Sequence, residues 1–272
     1  MKALMLAAGV ARRLYGDENN ELPKALIRFD GQSLLQRHIE LLQAYGVDEL
    51  VLIVGHRKED LLTEAETVAR DGFVRSFFNP RYKEGPLLSL ATGDSVLRSG
   101  DDVMFMDADV LYHPILLEKL ILSPHRNCFI VDRQFQSDDD PVKLCLRDGR
   151  VVDFGKTVDV LYDTVGEWPG FLKMSPEIAV KVADSVQGFI DRGEEKVPYE
   201  DAFREILLSE PAETFAHEDV TDIPWIEIDY PSDLKKATGN IFPRISDYLA
   251  EIAVTEAEAE TSELDESSAS GT

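Results

Sequence analysis

Two acidic pairs in this sequence sit at strand spacing. Asp107-Ala108-Asp109 closes the apolar run 103–106, and Trp225-Ile226-Glu227-Ile228-Asp229 alternates between two kinds of side chain. Residues two apart in a strand point to the same side, so each pair presents two carboxylates together. Two carboxylates on one side of a buried strand are costly unless they are paired or hold a metal. Mg²⁺ is a suitable ion, because it takes hard oxygen ligands, usually one or two carboxylates completed by substrate phosphates and water. Asp107 has an alternative use as a turn cap. Nearer the N-terminus, Ala7-Ala8-Gly9 ends an apolar run with residues small enough for a ligand to lie on the backbone. Arg12 and Arg13 follow, and then Lys24 directly behind Pro23. Small residues at a strand's end followed by fixed cations suit a nucleoside triphosphate, its base on the backbone and its phosphates at the charges. A first strand, an ordinary turn and surface basic residues would produce the same N-terminal pattern.

These residues need a scaffold, and the periodicity supplies one. Residues 3–6 read as a short buried strand, and residues 25–29 as a minor strand turning at Asp30-Gly31. Ser33 caps a helix whose Leu34, Leu35, His38, Leu41, Leu42 and Tyr45 share a face, with Gly46 as its stop. Residues 50–54 form a β-branched run of parallel-strand type. A helix through Leu61, Leu62, Ala65 and Val68 follows, then a strand over 73–78. Strands alternating with helices predict an α/β fold with a parallel sheet covered on both faces. Further on, residues 103–106 and 128–131 read as strands and 115–122 as a helix behind Pro114. Residues 142–146 and 151–154 flank Asp148-Gly149, a strong hairpin signal that opens an antiparallel excursion. Helices are expected over 176–190 and 199–208, and Asp233 is expected to cap the last one. Asp138-Asp139-Asp140 lacks the spaced ligands of an ion-binding loop and reads as a solvated turn. From about residue 251 the chain is rich in Ala, Glu, Ser and Thr, a composition that cannot build a core. We therefore expect a folded domain over 1–250 and a disordered acidic tail over 251–272.

Composition narrows the function. The chain has 272 residues and a formal charge of −24, which argues against nonspecific binding to nucleic acid or anionic membranes. An acidic protein that binds an anionic nucleotide needs local cations and a divalent metal. Cys128 and Cys145 lie inside apolar runs and read as buried reduced thiols. No run approaches the ~20 apolar residues that span a bilayer, and a cytoplasmic protein without membrane insertion is expected.

The N-terminal stretch resembles the signature of the nucleotidyltransferase superfamily with a GT-A-like fold, L-A-A-G-x-G-x-R-L followed by P-K-x-L. Leu6, Ala7, Ala8, Gly9, Arg13, Leu14, Pro23, Lys24 and Leu26 match, while Ala11 stands at the usual second glycine. The resemblance implies a Rossmann-like three-layer sandwich, mostly parallel, with an antiparallel hairpin insertion over the acceptor site. It places Leu6, Ala7, Ala8 and Gly9 at the nucleotide. Asn79, Tyr82, Ser89 and Leu90 fit the N-x-x-Y and S-L pattern that lies beside the base in cytidylyl-transferring relatives. In the family the last Asp of the first acidic segment is a metal ligand, here Asp109. Residues 225–234 resemble its closing W-x-E-I-D-x-P-x-D-L motif, which implies that Glu227 and Asp229 complete the metal site. Lys156, in Gly155-Lys156, corresponds to a lysine at the acceptor or the α-phosphate. Residues 166–171 resemble the G-E-x-x-G-F segment of choline-phosphate cytidylyltransferase-like proteins, which lines the acceptor pocket. Glu167 and Trp168 would suit a quaternary ammonium through charge and cation–π attraction, although a tryptophan beside a proline serves packing equally well.

What this resemblance implies is Mg²⁺-dependent transfer of a cytidylyl group from CTP to a small phosphoalcohol such as phosphocholine, with release of pyrophosphate. The acceptor phosphate is already anionic, so no protein nucleophile is needed, and the five histidines show no triad or metal-ligand spacing. Arg13 and Lys24 would stabilise the departing pyrophosphate and Lys156 would steer the acceptor. A sugar-1-phosphate nucleotidylyltransferase would share the front motif and the chemistry. Asp107-Ala108-Asp109 is also an Asp-x-Asp pattern of GT-A glycosyltransferases, against which Pro23-Lys24 speaks. The remaining alternative is a non-catalytic nucleotide-binding module that uses its acidic tail for partners.

Overall fold

Strand β1 (Lys2–Ala7) is the middle of the molecule in a computed structural model that describes residues 1–16, 20–134 and 141–246. The acidic run 138–140 and the expected tail from 251 lie outside the described residues. After β1 come the single-turn helix α1 (Arg12–Tyr15) and a 3-10 turn, Lys24–Leu26. The expected minor strand is a two-residue piece, β2 (Arg28–Phe29), hairpinned through Asp30-Gly31 to β3 (Gln32–Ser33). Ser33 caps α2 (Leu34–Ala44), its side chain accepting from the Gln36 amide. The alternation continues through β4 (Glu49–Val54), α3 (Lys58–Val68), β5 (Val74–Phe78), α4 (Pro86–Thr92) and α5 (Asp94–Leu97). It resumes with β6 (Val103–Asp107), β7 (Val110–Tyr112), α6 (Pro114–Leu122) and β8 (Cys128–Val131).

The excursion comprises β9 (Lys143–Arg147), β10 (Arg150–Gly155) and β11 (Thr164–Glu167), a separate sheet of order β10-β9-β11. Asp148 and Gly149 both have positive φ, 51° and 73°, as a two-residue I′ hairpin turn requires. The chain then returns through β12 (Phe171–Met174), α7 (Pro176–Asp191), α8 (Glu200–Ser209), β13 (Ala216–Asp219), β14 (Trp225–Glu227) and α9 (Pro231–Lys236).

The main sheet has the order β13-β8-β12-β6-β1-β4-β5. All its described pairings are parallel except those of β12, which runs antiparallel to both neighbours. β12 was not expected from sequence. Its Lys173 interrupts an apolar run, yet is 7% exposed, with Nζ donating to the carbonyls of Leu120, Ile121 and Ser123 at the end of α6. Those carbonyls lack intrahelical partners and carry the negative end of the helix dipole, so they satisfy the buried ammonium.

Strand alternation divides the core in two. Leu4, Val51, Ile53 and Phe105 face α4, α5, α7 and α8. Met5, Leu50, Leu52, Met104 and Met106 face α2, α3 and α6. The result is the expected three-layer α/β sandwich, each buried Leu, Ile, Met or Phe contributing about 1.5–3 kcal/mol. A third, smaller cluster joins Ala11 and Leu14 to Leu111, Ile228, Ala237 and Ile245. It ties the loop after β1 to β14 and to the C-terminal helix. The C-terminal ends of β1, β4, β5 and β6 share one edge, where ligands bind in open α/β sheets. No helix among the described residues is long and apolar enough to cross a membrane. Cys128 and Cys145 are buried and free, as expected.

Candidate active site

The loop after β1 is tightly held. Ala7 and Ala8 are buried, and the Ala8 carbonyl accepts from the His56 amide at 3.1 Å. Between them and the loop after β5 lies Gly55, where a Cβ would stand 2.6 Å from the Ala8 oxygen and 2.6 Å from Tyr82. Gly55 was not singled out from sequence, because its need for a bare backbone comes from contacts distant along the chain.

Ala11, at the usual second glycine, takes a glycine-like conformation. It adopts φ 53°, ψ 42°, the left-handed region, at the start of α1. An L-residue there costs about 1–2 kcal/mol, while the Ala11 methyl is buried in the third cluster. In Ala11→Gly the strain relief would be offset by about 0.8 kcal/mol of lost methyl burial and about 0.4–1 kcal/mol of unfolded-state entropy. The variant is therefore expected to keep its stability within about 1 kcal/mol by urea denaturation. A change of more than twice that would show that the methyl group does something other than fill this cluster.

Three carboxylates and two cations converge beyond the loop. Carboxylate oxygens of Asp109, Glu227 and Asp229 lie within 4.8 Å of one another. Asp109 follows β6, Glu227 ends β14, and the Ile228 amide donates to the Asp109 carbonyl at 3.1 Å, stitching the two segments together. Asp233 secures the start of α9 from its third helical position, where Tyr230 and not Asp233 is the N-cap residue, Oδ2 accepting from the amides of Tyr230 (2.7 Å) and Asp229 (3.1 Å). That cap also fixes the backbone of Asp229. Lys24 Nζ sits between two of the carboxylates, 2.9 Å from Asp109 Oδ2 and 2.5 Å from Asp229 Oδ1. Arg13 Nη1 lies 2.6 Å from Asp229 Oδ2.

Burial alone would lower the Lys24 pKa, but Asp109 and Asp229 outweigh it and raise the value. Glu227 opens to the cavity yet is walled by protein. That enclosure, followed by the charges of Asp109 and Asp229, pushes its carboxyl well above the usual range. An ammonium already seated between two carboxylates, with a third beside it, shows that the site attracts positive charge. A cluster of hard oxygen donors of this kind fits a divalent cation.

Asp107 is placed apart from this cluster. Its Oδ2 accepts from the Tyr199 hydroxyl at 2.5 Å, and its amide donates to the Gly170 carbonyl. Burial first, then Asp109 and Glu227, raise its pKa well above normal, while Tyr199 acts in the opposite direction. Gly170 has φ 90°, and a Cβ there would stand 2.8 Å from Asp107 Oδ2, so the glycine of this segment serves close packing.

The other expected residues fall around one cavity of about 1060 Å³. Leu6, Ala7, Ala8, Gly9, Ser89, Lys156, Glu167 and Trp168 line it together with Arg13, Lys24, Asp109, Glu227 and Asp229. Asn79 does not share that lining. It is 2% exposed, with Nδ2 donating to Ser89 Oγ and Oδ1 accepting from the Arg81 amide. Both ends of its amide are occupied, so its place is behind Ser89, which it orients. Glu167 is held by paired backbone hydrogen bonds with Asp132.

Trp168 borders the cavity but is 4% exposed, stacked near Phe105 and edge-on to Phe154, with Nε1 donating to the Phe171 carbonyl. Its indole is a packing element, which leaves Glu167 as the charged side chain of this segment on the cavity. Tyr199 and Glu200, at the start of α8, also line the cavity. The sequence showed them only as the beginning of a packing helix. Burial raises the Glu200 pKa, with Lys156 opposing.

The chain has relatives among known proteins. The chain is 26% identical over 250 residues to CMP-5'-(3-aminopropyl)phosphonate synthase of Streptomyces rubellomurinus, covering 89% of this chain and 39% of that protein. It is 29% identical over 236 residues to the bifunctional IPC transferase and DIPP synthase of Rubrobacter xylanophilus, covering 86% and 50%. The chain thus spans half or less of the length of these relatives. Among solved structures, CTP:phosphocholine cytidylyltransferase of Streptococcus pneumoniae superposes with a TM-score of 0.68 at 21% identity, covering 88% of this chain and 97% of that one. This likeness supports the fold. The profile of the MobA-like NTP transferase domain matches residues 3–150, more than half of the chain. With the loop after β1, Lys24 and the Asp109 segment all inside that match, the chain belongs to the MobA-like NTP transferase family.

Proposed function

We propose that this chain transfers a cytidylyl group from CTP to a small phosphorylated alcohol with a cationic head, such as phosphocholine, and releases pyrophosphate. The observation that carries the reading is the convergence of Asp109, Glu227 and Asp229 with Lys24 and Arg13 at the end of a small-residue loop. We assign the activity to a domain over residues 1–250. The name of the Streptomyces relative, which couples CMP to an amino-bearing phosphonate, supports both the donor and the acceptor class.

In this reading the base rests on Ala7, Ala8 and Gly9 with Ser89 at its edge, and Asn79 holds Ser89 in place. An oxygen of the acceptor phosphate attacks the α-phosphorus, the bond to the β-phosphate breaks, and the electron pair leaves with pyrophosphate. Arg13 and Lys24 turn from their carboxylate partners to the phosphate oxygens and stabilise the leaving charge. Lys156 orients the acceptor phosphate, and Glu167 favours a cationic head. Asp109, Glu227 and Asp229 would hold Mg²⁺, which when bound supplies charge neutralisation to the phosphates. The chain's own contribution is positioning and fixed charge, with no covalent intermediate.

Pyrophosphate release is the test, crossing four nucleoside triphosphates with phosphocholine, phosphoethanolamine, 3-aminopropylphosphonate, inositol phosphate and glucose-1-phosphate in the presence of Mg²⁺. Release with CTP and an amine-bearing acceptor is expected. Turnover with glucose-1-phosphate alone would move the chain to the sugar branch. Nucleotide binding without any pyrophosphate release would count against both.

A further inference from the structure

We infer that His38 is a positioning residue for the acidic cluster, gripping the turn that carries Asp109 through the main-chain carbonyl of Ala108. The inference rests on the metal-site reading above and extends it to a residue outside the cavity lining.

His38 lies on α2 and is 1% exposed. Its Nε2 is 3.3 Å from the Ala108 carbonyl oxygen and its Nδ1 is 3.0 Å from the Tyr112 hydroxyl. A carbonyl can only accept, so Nε2 carries the hydrogen and Nδ1 accepts from the tyrosine. One ring therefore bridges Ala108, in the turn between β6 and β7, and Tyr112, at the far end of β7, the two residues that bracket the segment carrying Asp109. The imidazole and phenol rings also stack, with centroids 5.3 Å apart.

The second bond reaches the other acidic segment as well. Tyr112 is opposite Trp225 in the β7–β14 ladder, and Val110 is opposite Glu227. Holding Tyr112 thus steadies the strand that pairs with the one supplying Glu227. Tyr112 packs edge-on against Phe171 at 5.0 Å, and the neighbouring Gly170 carbonyl accepts from the Asp107 amide. A residue there only to fill space would be apolar, because a buried imidazole must have its nitrogens satisfied. Here the partners that satisfy them are Ala108 and Tyr112, on either side of Asp109 along the chain.

Residues that orient metal ligands from behind typically contribute about 10–100-fold to metal affinity. The test is Mn²⁺ binding to the full chain by electron paramagnetic resonance, with CTP present and no acceptor. His38→Leu is expected to weaken Mn²⁺ about 10-fold, and Tyr112→Phe, which preserves shape, to weaken it in the same direction by less. His38→Gln, whose side-chain amide can still donate to Ala108, is expected to recover much of the loss. CTP affinity measured in chelator should stay within about twofold in all three, since the nucleotide contacts are untouched. Unchanged Mn²⁺ affinity in folded His38→Leu and Tyr112→Phe, with only a lower melting temperature, would reduce His38 to a packing residue and overturn the inference alone. Failure of the unaltered protein to bind Mn²⁺ would overturn the metal-site reading and the inference with it.

Discussion

Asp109→Asn is expected to lower turnover on the order of 10²-fold or more, the scale of losing one preorganised charge partner, while leaving the fold nearly as stable as before. The two halves of this expectation have separate causes. Asp109 belongs to a cluster whose oxygens lie within 4.8 Å of one another, so removing its charge weakens cation binding where the phosphates must react. Stability is another matter. The Asp109 and Lys24 side chains are 23% and 13% exposed, and Lys24 keeps Asp229 at 2.5 Å after the substitution. Deleting one of three mutually repelling carboxylates also relieves repulsion. The net change in unfolding free energy should be within about 1 kcal/mol, as for a partly exposed pair. Pyrophosphate release and urea denaturation on the same preparation check both halves. Near-normal turnover would remove Asp109 from the site, and strong destabilisation would make its role structural.

The sequence carried this site unevenly, for reasons visible in particular residues. Strand period 2 correctly marked Asp107-Ala108-Asp109 and Glu227-Ile228-Asp229 as carboxylates delivered at strand ends. It could not tell which of them meet. Alternation holds only while the strand lasts, and β6 ends at Asp107. Past that point the chain turns, sending Asp107 to Tyr199 and Asp109 to Asp229 and Lys24.

The same limit explains Asn79 and Trp168. Both stand in segments of the right pattern, but whether a side chain faces a ligand or its own core depends on neighbours far along the chain. For Asn79 the decisive neighbour is Ser89, and for Trp168 they are Phe105 and Phe154. The main elements were legible because their helix and strand periods are local, as was the Asp148-Gly149 hairpin. β12 was not, because the lysine within it is satisfied only by carbonyls at the end of α6. His38 had the appearance of one more core position on α2, and only the fold brings it to Ala108 and Tyr112.

Lys24→Met should abolish activity to a similar degree, about 10²-fold or more, and it should change how the protein responds to metal. The Lys24 ammonium is the shared counter-charge of Asp109 and Asp229. Removing one partner of a buried pair costs about 3–5 kcal/mol because the other charge is left uncompensated. These side chains are 13–23% exposed, and Arg13 still pairs with Asp229, so the expected loss is smaller, about 1–3 kcal/mol. An added divalent cation would then meet three carboxylates with no ammonium to displace. A ligand that binds only the folded state at 100 times its Kd stabilises by about 2.7 kcal/mol, enough to offset most of that loss. Denaturation with and without Mg²⁺, in the absence of nucleotide, should therefore show a larger metal-dependent gain in Lys24→Met than in the unaltered protein. Equal gains in both would mean that the ammonium and the metal do not share a site. Arg13→Met separates the two cations: Arg13 pairs with Asp229 alone among the three carboxylates and lies over the Tyr230 ring. Its loss should slow turnover without enlarging the metal response to the same extent, because Lys24 remains between the carboxylates.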